Sequence, residues 1–317
     1  MYSAITRGSI FIDRLRGFIE ENYPIRPVAI APAARGFYGE TWRVDAPQGC
    51  FFAKLDCSPH QNVYERSFPV IEHMCSHGID FISKILKTRE GGHCTHFEDG
   101  VLGLFDWIEG ENQENDSTKP HEYDMLAKIY TVDTKGLAIP REDFSAREAD
   151  RFFDRRERVQ DEGILALLEA KWAEIERCAQ RLRYFSGICE EDDTGFVHGK
   201  EFAITHGDAG GNVLVFGENY HIIDWDDPRL APPERDAWFW MHRPWAMRAF
   251  HGALRENHIE YTLRPVRLAY YCYYMYFFYL NEILDAHFAL GGLQDYLADY
   301  LHGWMNDNRD YAERSIP

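Results

Sequence analysis

The amino-acid sequence predicts an α+β fold in two lobes: a small mixed amino-terminal lobe built on an antiparallel sheet, and a larger, mainly helical carboxy-terminal lobe. Three observations predict it. Short apolar runs bounded by turn residues recur between residues 28 and 108, as paired strands and hairpins require. From residue 121 onward the apolar positions recur at helical spacing instead. The polar stretch Glu109–Pro120 lies between the two regimes and reads as a linker. The expected lobes are therefore 1–108 and 109–317.

Taken in order, residues 8–22 place Ile10, Phe11, Leu15, Phe18 and Ile19 on one helical face, and Tyr23-Pro-Ile-Arg-Pro27 stops that helix. Val28–Ala31 and Glu40–Asp45 read as strands flanking the loop Pro32–Gly39. The next strand, Gly49–Leu55, carries Lys54 near its end, with Phe52 on the same face at period two. A lysine on the inward face of a strand needs an anion to offset its desolvation; an edge-strand lysine is the alternative. A helix over about residues 61–77 ends at Gly78, and Pro69 predicts a kink or a split within it. Glu65 and Glu72 share one face of that helix if it is continuous. Phe81–Leu86 and His96–Leu104 read as two further strands.

Beyond the linker, His121–Thr134 turns Met125, Leu126 and Ile129 to one side. Ser145–Asp161, dense in both charges, reads as a solvated helix. Gly163–Tyr184 reads as one long amphipathic helix burying Leu165, Leu168, Trp172 and Ile175. Pro232-Pro-Glu-Arg-Asp236 opens a helix whose Trp238, Phe239 and Trp240 are core candidates. Pro265–Leu284 is rich in tyrosine. Most of its aromatics suit packing, but an aromatic wall with Glu282 or Asp285 could hold a cationic amine.

Composition narrows the function classes. A chain of 317 residues with 45% hydrophobic and 15% aromatic residues can fill the interiors of two lobes. Its net charge of −18 argues against nucleic acid or an anionic membrane as partner and suits a cationic substrate, although an acidic surface also serves solubility. The seven cysteines form no CxxC pair, and no amino-terminal signal pattern is present, which leads us to expect reduced thiols and a cytoplasmic location. His93-Cys94-Thr95-His96 lacks a second ligand pair and reads as a hairpin tip rather than a zinc site. No apolar run approaches the ~20 residues that span a bilayer.

The chemistry concentrates in Ile204-Thr-His-Gly-Asp-Ala-Gly-Gly-Asn-Val-Leu-Val-Phe216 and His221-Ile-Ile-Asp-Trp-Asp226. The pattern is a hairpin, turning at Gly217-Glu-Asn219, with Asp208, Asn212 and Asp224 where its strands meet loops. Hard oxygen donors suit Mg²⁺, which binds through one or two carboxylates and leaves room for phosphate oxygens. A carboxylate beside that site but off the metal can orient a hydroxyl and take its proton. The alternative, an ordinary hairpin with polar ends, requires both halves of the pattern to coincide by chance.

The pairing of His206-Gly-Asp208…Asn212 with Ile223-Asp-Trp-Asp226 resembles the catalytic loop and metal-binding Asp of the aminoglycoside phosphotransferase family, relatives of the protein kinases. The extension Asp224-Trp-Asp-Asp-Pro-Arg-Leu-Ala-Pro-Pro-Glu-Arg-Asp236 is most similar to the spectinomycin phosphotransferase branch. The resemblance implies a protein-kinase-like fold with Mg²⁺ and ATP or GTP as cofactors. Asp208 would orient the acceptor hydroxyl, Asn212 and Asp224 would hold Mg²⁺, and Lys54 would pair the α- and β-phosphates. A helix glutamate, Glu65 in preference to Glu72, would hold Lys54. Gly36 and Gly39, with Arg35 or Tyr38, would cover the phosphates, although a plain hairpin turn fits them as well. Backbone groups of Asp106, Trp107 and Ile108 would bond the adenine edge, which puts the lobe boundary near 108. Asp236 falls where the family keeps an Asp that braces the catalytic loop, and with Tyr274 and Glu282 it is a candidate on the acceptor side.

The implied partners are the nucleotide and a small hydroxylated, cationic acceptor such as an aminoglycoside or aminocyclitol, with a choline- or homoserine-like metabolite as the alternative. The implied assembly is a monomer or homodimer. Pro228 and Pro232-Pro233 follow Asp224 too soon for an activation segment, so protein substrates are not expected. One departure matters. Asp208 and Asn212 are four positions apart, one residue fewer than the family usually has. Paired glycines at 210 and 211 reach conformations closed to other residues and could still deliver Asn212. A nucleotide-binding pseudokinase is the other reading of that contraction.

Overall fold

The first half of the chain alternates short strands with two helices: α1 (Ser9–Asn22), β1 (Ala29–Pro32), β2 (Glu40–Ala46), β3 (Gly49–Asp56), α2 (Asn62–Ser76), β4 (Ile85–Leu86), β5 (Cys94–Phe97), β6 (Gly100–Asp106) and β7 (Glu111–Asn112). Helices then dominate, with α3 (Lys119–Tyr130), α4 (Arg147–Arg156), α5 (Glu162–Ala170) and α6 (Trp172–Glu191). Four strands follow: β8 (Ala203–Thr205), β9 (Val213–Phe216), β10 (Asn219–Ile222) and β11 (Arg229–Ala231). The chain closes with α7 (Glu234–Ala237), α8 (Pro244–Glu256), α9 (Pro265–Leu290), α10 (Gln294–Leu301) and α11 (Asn306–Arg314). This structure is a computed structural model and describes residues 7–33, 39–56, 62–191, 202–303 and 305–314; Arg35, Gly36 and Tyr38 lie outside them. Two compact units result, one of residues 1–140 with 206–229, the other of 141–205 with 230–317.

In the first unit the main sheet runs β1-β2-β3-β6-β4, antiparallel throughout, with β5 also paired to β6. Alternation along β3 sends Phe51, Ala53 and Leu55 into a core with Phe11, Leu15 and Ile19 of α1, Trp42 and Val44 of β2, and Leu102 and Leu104 of β6. Phe52 and Lys54 therefore face the opposite side, where α2 packs. There the Phe68 ring lies 5.1 Å from that of Phe105. Gly103 makes this packing possible, because a Cβ at that position would lie 2.6 Å from the Phe68 ring.

Several sequence expectations need correction. Helix α2 continues through Pro69 without a split, because Phe68, Val70, Ile71 and Met74 are buried around it and hold the helix against the loss of one backbone hydrogen bond. His96–Leu104 is two strands rather than one, turning at Glu98 with a left-handed φ of 51°. Cys94–His96 accordingly lie within a strand paired to Val101–Gly103, not at a hairpin tip. The first of the expected strands shrinks from Phe81–Leu86 to Ile85–Leu86. The polar stretch after residue 108 is not a plain linker. Its β7 pairs with β9 and extends the β9–β10 hairpin into the sheet β10-β9-β7, so the expected boundary at 108 does not coincide with the division of the chain at 140.

The second unit is organised on α9, started by Pro265 and ended by Gly291 at φ 70°. Its Tyr270, Tyr271, Tyr273, Tyr274, Tyr276 and Phe277 are buried. Helix α4 is not merely solvated: Glu148, Ala149 and Phe152 are buried, and Glu148 accepts a 2.8 Å hydrogen bond from Asn281. The expected Gly163–Tyr184 helix is two, broken at Lys171, where φ −112° and ψ 7° leave the helical region. Leu165 and Trp172 are then half-buried, and Ile164, Leu168, Ile175 and Leu182 fill the core. Of the three aromatics after α7, Trp238 is buried while Phe239 and Trp240 are half-buried. Among the described residues no helix is long and apolar enough to cross a membrane.

Candidate active site

The loop before β9 is held by one histidine and one asparagine. His206 Nδ1 accepts the Asp208 N–H at 3.1 Å, and Nε2 donates to the Ile223 carbonyl at 2.9 Å. Both bonds are satisfied together by the neutral imidazole protonated on Nε2. The ring meets Trp225 edge-on at 4.5 Å. Gly207 between them takes φ 88°. Asn212 then closes the turn: its N–H donates to the Ala209 carbonyl at 2.9 Å, and its Nδ2 to the Asp208 carbonyl at 2.7 Å. Its own carbonyl accepts from the Ile223 N–H at 2.9 Å. Ala209 is buried beneath the loop, and the Asp208 carboxylate is left exposed. With Nδ2 engaged, Asn212 presents Oδ1, a hard donor that takes no partner among the described residues.

One residue past Ile223, Asp224 adopts a left-handed φ of 65°, a conformation aspartate tolerates better than most residues and one that recurs at functional positions. The Lys54 ammonium lies between Asp224 Oδ1 and Asp226 Oδ2, the second at 2.6 Å, with the Tyr64 ring centroid 5.5 Å away. The lysine side chain is 13% exposed and the two carboxylates 43% and 41%. Burial works against the ammonium, but the two aspartates outweigh it and hold the lysine pKa well above its usual value. Burial also works against an ionised Asp224, whose pKa the facing Lys54 nevertheless lowers. Asp226 is pushed up to about 6 by burial and by the charge of Asp224, with Lys54 opposing.

Lys54, Asp208, Asn212 and Asp224 thus come together in the first unit, tied through Ile223. Two expected neighbours do not. Glu65 is exposed and does not reach Lys54, and Glu72 is paired with Lys87 and with His93 at 2.6 Å. The lysine turns to the aspartates because they close on it from the hairpin side. Gly39 fits a close backbone approach: at φ 106°, a Cβ would lie 2.9 Å from the Leu55 carbonyl oxygen. Gly36 lies outside the described residues. Along 106–108, the Asp106 N–H already serves the Lys84 carbonyl (2.9 Å) and the Trp107 N–H the Cys50 carbonyl (3.1 Å). The Ile108 N–H takes no partner among the described residues.

The acceptor-side candidates belong to the second unit. Tyr274 is buried, and its hydroxyl accepts from Arg147 at 3.5 Å. Tyr270 and Tyr271 donate to the Ser145 carbonyl and to Glu142. Most of the tyrosine-rich stretch is therefore packing with satisfied hydroxyls. Asp285 is taken by Arg151 at 2.9 Å and by Arg155 at 2.5 Å, which removes it as a partner for an amine. Glu282 and Asp236 are half-buried.

Three features escape a sequence reading. Asp226 as the second partner of Lys54 was legible only as the period-two repeat in Ile223-Asp-Trp-Asp226. Arg235, buried beside the candidate Asp236, donates to the carbonyl (3.2 Å) and hydroxyl (3.1 Å) of Thr205, the residue before His206. No local signal distinguishes that arginine from a surface one. The segment 111–119 runs along the Asp208–Asn212 loop, with the Asn112 side chain donating to the Gly211 carbonyl at 2.9 Å and the Gln113 N–H to that of Val213 at 3.0 Å.

Comparison with known proteins gives this arrangement a family. No curated protein sequence matches the chain. Among solved structures, spectinomycin phosphotransferase APH(9)-Ia in complex with ADP and spectinomycin is similar at a TM-score of 0.67 and 18% identity, over 96% of this chain and 94% of that one. LicA in complex with AMP is similar at 0.66 and 14%, over 96% and 100%. Amicoumacin kinase hAmiN in complex with AMP-PNP and Ca²⁺ is similar at 0.63 and 13%, over 96% and 94%. At these identities the likeness is one of fold, and that fold is kinase-like: a sheet-bearing amino-terminal lobe and a helical carboxy-terminal part. The profile of the phosphotransferase enzyme family matches residues 29–271, a span that takes in Lys54, Asp208, Asn212 and Asp224. The chain belongs to the phosphotransferase enzyme family and is a small-molecule phosphotransferase.

Proposed function

We propose that the chain transfers the γ-phosphoryl group of ATP, or of GTP, to a hydroxyl of a small cationic molecule, an aminoglycoside or aminocyclitol such as spectinomycin. The observation that carries this reading is the Lys54–Asp224 ion pair beside a loop that leaves the Asp208 carboxylate exposed and the Asn212 amide oxygen without a partner among the described residues. In the reaction, the acceptor oxygen bonds to the γ-phosphorus as the bond to the β-phosphate oxygen breaks, and the hydroxyl proton passes to the Asp208 carboxylate. Lys54 exchanges its aspartate partners for the α- and β-phosphate oxygens. The Ile108 N–H meets the base edge, and Gly39 lets the backbone approach the phosphates. The donor set of Asn212 and Asp224, one amide and one carboxylate oxygen, fits Mg²⁺, which would neutralise phosphate charge when bound. Little covalent work falls to the protein; its part is to position charges in advance.

The acidic surface favours a cationic acceptor. Structures similar to this one hold ADP or AMP, and one of them holds spectinomycin. The test is γ-phosphate transfer from ATP and from GTP, with Mg²⁺, to spectinomycin, kanamycin, hygromycin and choline, read as the mass of a phosphorylated product. Product on an antibiotic supports the reading. Product on choline alone moves the acceptor to a metabolite. No product on any of the four, with Mg²⁺-dependent nucleotide binding intact, moves the acceptor outside this panel; no product and no Mg²⁺-dependent nucleotide binding refutes transfer and leaves a pseudokinase.

A further inference from the structure

We propose that Lys119 and Glu114 form an ionic prop that positions the contracted Asp208–Asn212 loop, standing in for the residue the loop lacks. Lys119 opens α3 with a side chain only 2% exposed. A lysine is poorly placed there, because the amino end of a helix already carries partial positive charge. Its ammonium is nevertheless held by Glu122, itself 2% exposed, at 2.8 and 3.1 Å, and by Glu114 at 3.0 Å. So costly a burial requires the full set of partners.

The prop meets the loop at Gly210. A Cβ on Gly210 would lie 2.6 Å from Glu114 Oε1 and 2.8 Å from Lys119 Nζ. Any side chain at 210 would have to part the ion pair or lift the loop off it. The segment bearing the prop is tied to the loop on both sides of this contact, through Asn112 to Gly211 and Gln113 to Val213. Asn115 stiffens the approach to α3 by accepting the N–H groups of Ser117 (2.9 Å) and Thr118 (3.2 Å). A four-position span from Asp208 to Asn212 has no side chain of its own at 210 to pack beneath it. The charged ends of Lys119 and Glu114 fill that space and fix the height of the loop relative to Ile223 and Asp224. Both act as positioning residues, through the loop backbone at Gly210. The proposal rests on the assignment of Asp208 and Asn212 given above.

The test is Gly210→Ala, alone and in a Glu114→Ala background that removes the nearer of the two charged ends the new methyl meets and lets Lys119 Nζ shift into the space vacated. Lys119 itself stays, since removing it strands two carboxylates, one fully buried. Gly210→Ala should lower kcat roughly 10- to 100-fold by displacing the loop, with little change in nucleotide KM. It should also speed hydrogen exchange at the Asn212 and Ile223 amides, which close the loop. In the Glu114→Ala background the same substitution should cost only about two- to threefold and leave exchange unchanged, the non-additivity expected of groups in contact. Unchanged exchange and kcat in Gly210→Ala, or equal losses in both backgrounds, overturns the prop. An unsubstituted chain that phosphorylates no acceptor counts instead against the functional reading, and the exchange measurements decide the prop regardless.

Discussion

Lys54→Met is the substitution that separates an ion pair built for function from one built for stability. It keeps the unbranched stem and removes only the ammonium. Two charge-assisted hydrogen bonds to Asp224 and Asp226 are lost. Each would contribute about 1.5–3 kcal/mol if fully buried. The carboxylates are 43% and 41% exposed, so water recovers most of that, and the net loss falls to about 1–2 kcal/mol. For a chain of this size the midpoint of thermal unfolding should drop by about 1.5–3 °C. Turnover should suffer far more. A preorganised positive group facing developing phosphate charge is worth about 3–4 kcal/mol, or roughly 10²–10³ in kcat/KM. Melting curves and steady-state transfer on the same preparations give both numbers. A variant that keeps kcat/KM within about threefold removes Lys54 from the phosphate site. One that loses more than about 4 kcal/mol of stability makes the trio a structural ion pair.

The other predictions concern single contacts. Asp208→Asn should lower kcat by roughly 10²–10⁴ with nucleotide affinity intact by calorimetry, because the backbone N–H and carbonyl of residue 208, which the substitution keeps, both bond within the loop. Asp224→Asn should lose the Mg²⁺-dependent part of nucleotide binding, seen by titrating nucleotide with and without the metal. Gly103→Ala places a methyl 2.6 Å from the buried Phe68 ring and should cost about 1–3 kcal/mol in denaturant melts; a neutral result would mean α2 can lift from the sheet. Glu234 is buried, which raises its pKa from the ordinary value of about 4.5 against the opposing Arg264 N–H and Arg267 charge. A raised carboxyl stabilises fully below its unfolded pKa and loses that contribution as pH rises through the folded one. Glu234→Gln should therefore flatten the fall in stability as pH climbs above about 4.5, and an unchanged slope would refute it.

The sequence carried the parts of this molecule that are periodic or local. Period-two alternation found β2 and β3 and put Lys54 on one face with Phe52, and the glycine-rich loop and Ile223-Asp-Trp-Asp226 marked the hairpin with its polar ends. What failed depended on partners distant in the chain. Helical spacing puts Glu65, the preferred partner for Lys54, on one face with Glu72, and nothing in α2 says that Lys87 and His93 take Glu72. The charge-dense α4 read as solvated because its pattern cannot show that Asn281, 133 residues on, buries Glu148. The stretch 109–120 read as linker because two-residue strands such as β7 leave no period. Its order comes from the loop it runs beside.

The charges around Lys54 say how that site must work. One ammonium faces two carboxylates, so the trio carries one negative charge before any ligand arrives. A bare polyphosphate meeting it would be repelled, and Lys54 could leave its partners only by stranding both. On the proposed assignment, a nucleotide arriving with a divalent cation would change the balance, since Asp224 could then face the cation while Lys54 turned to phosphate. Release of the lysine and capture of the nucleotide would then be one exchange, with each charge passing from one partner to another and none left bare in a half-buried place. Asp226 would fit this account as the second carboxylate that holds the Lys54 ammonium until the exchange.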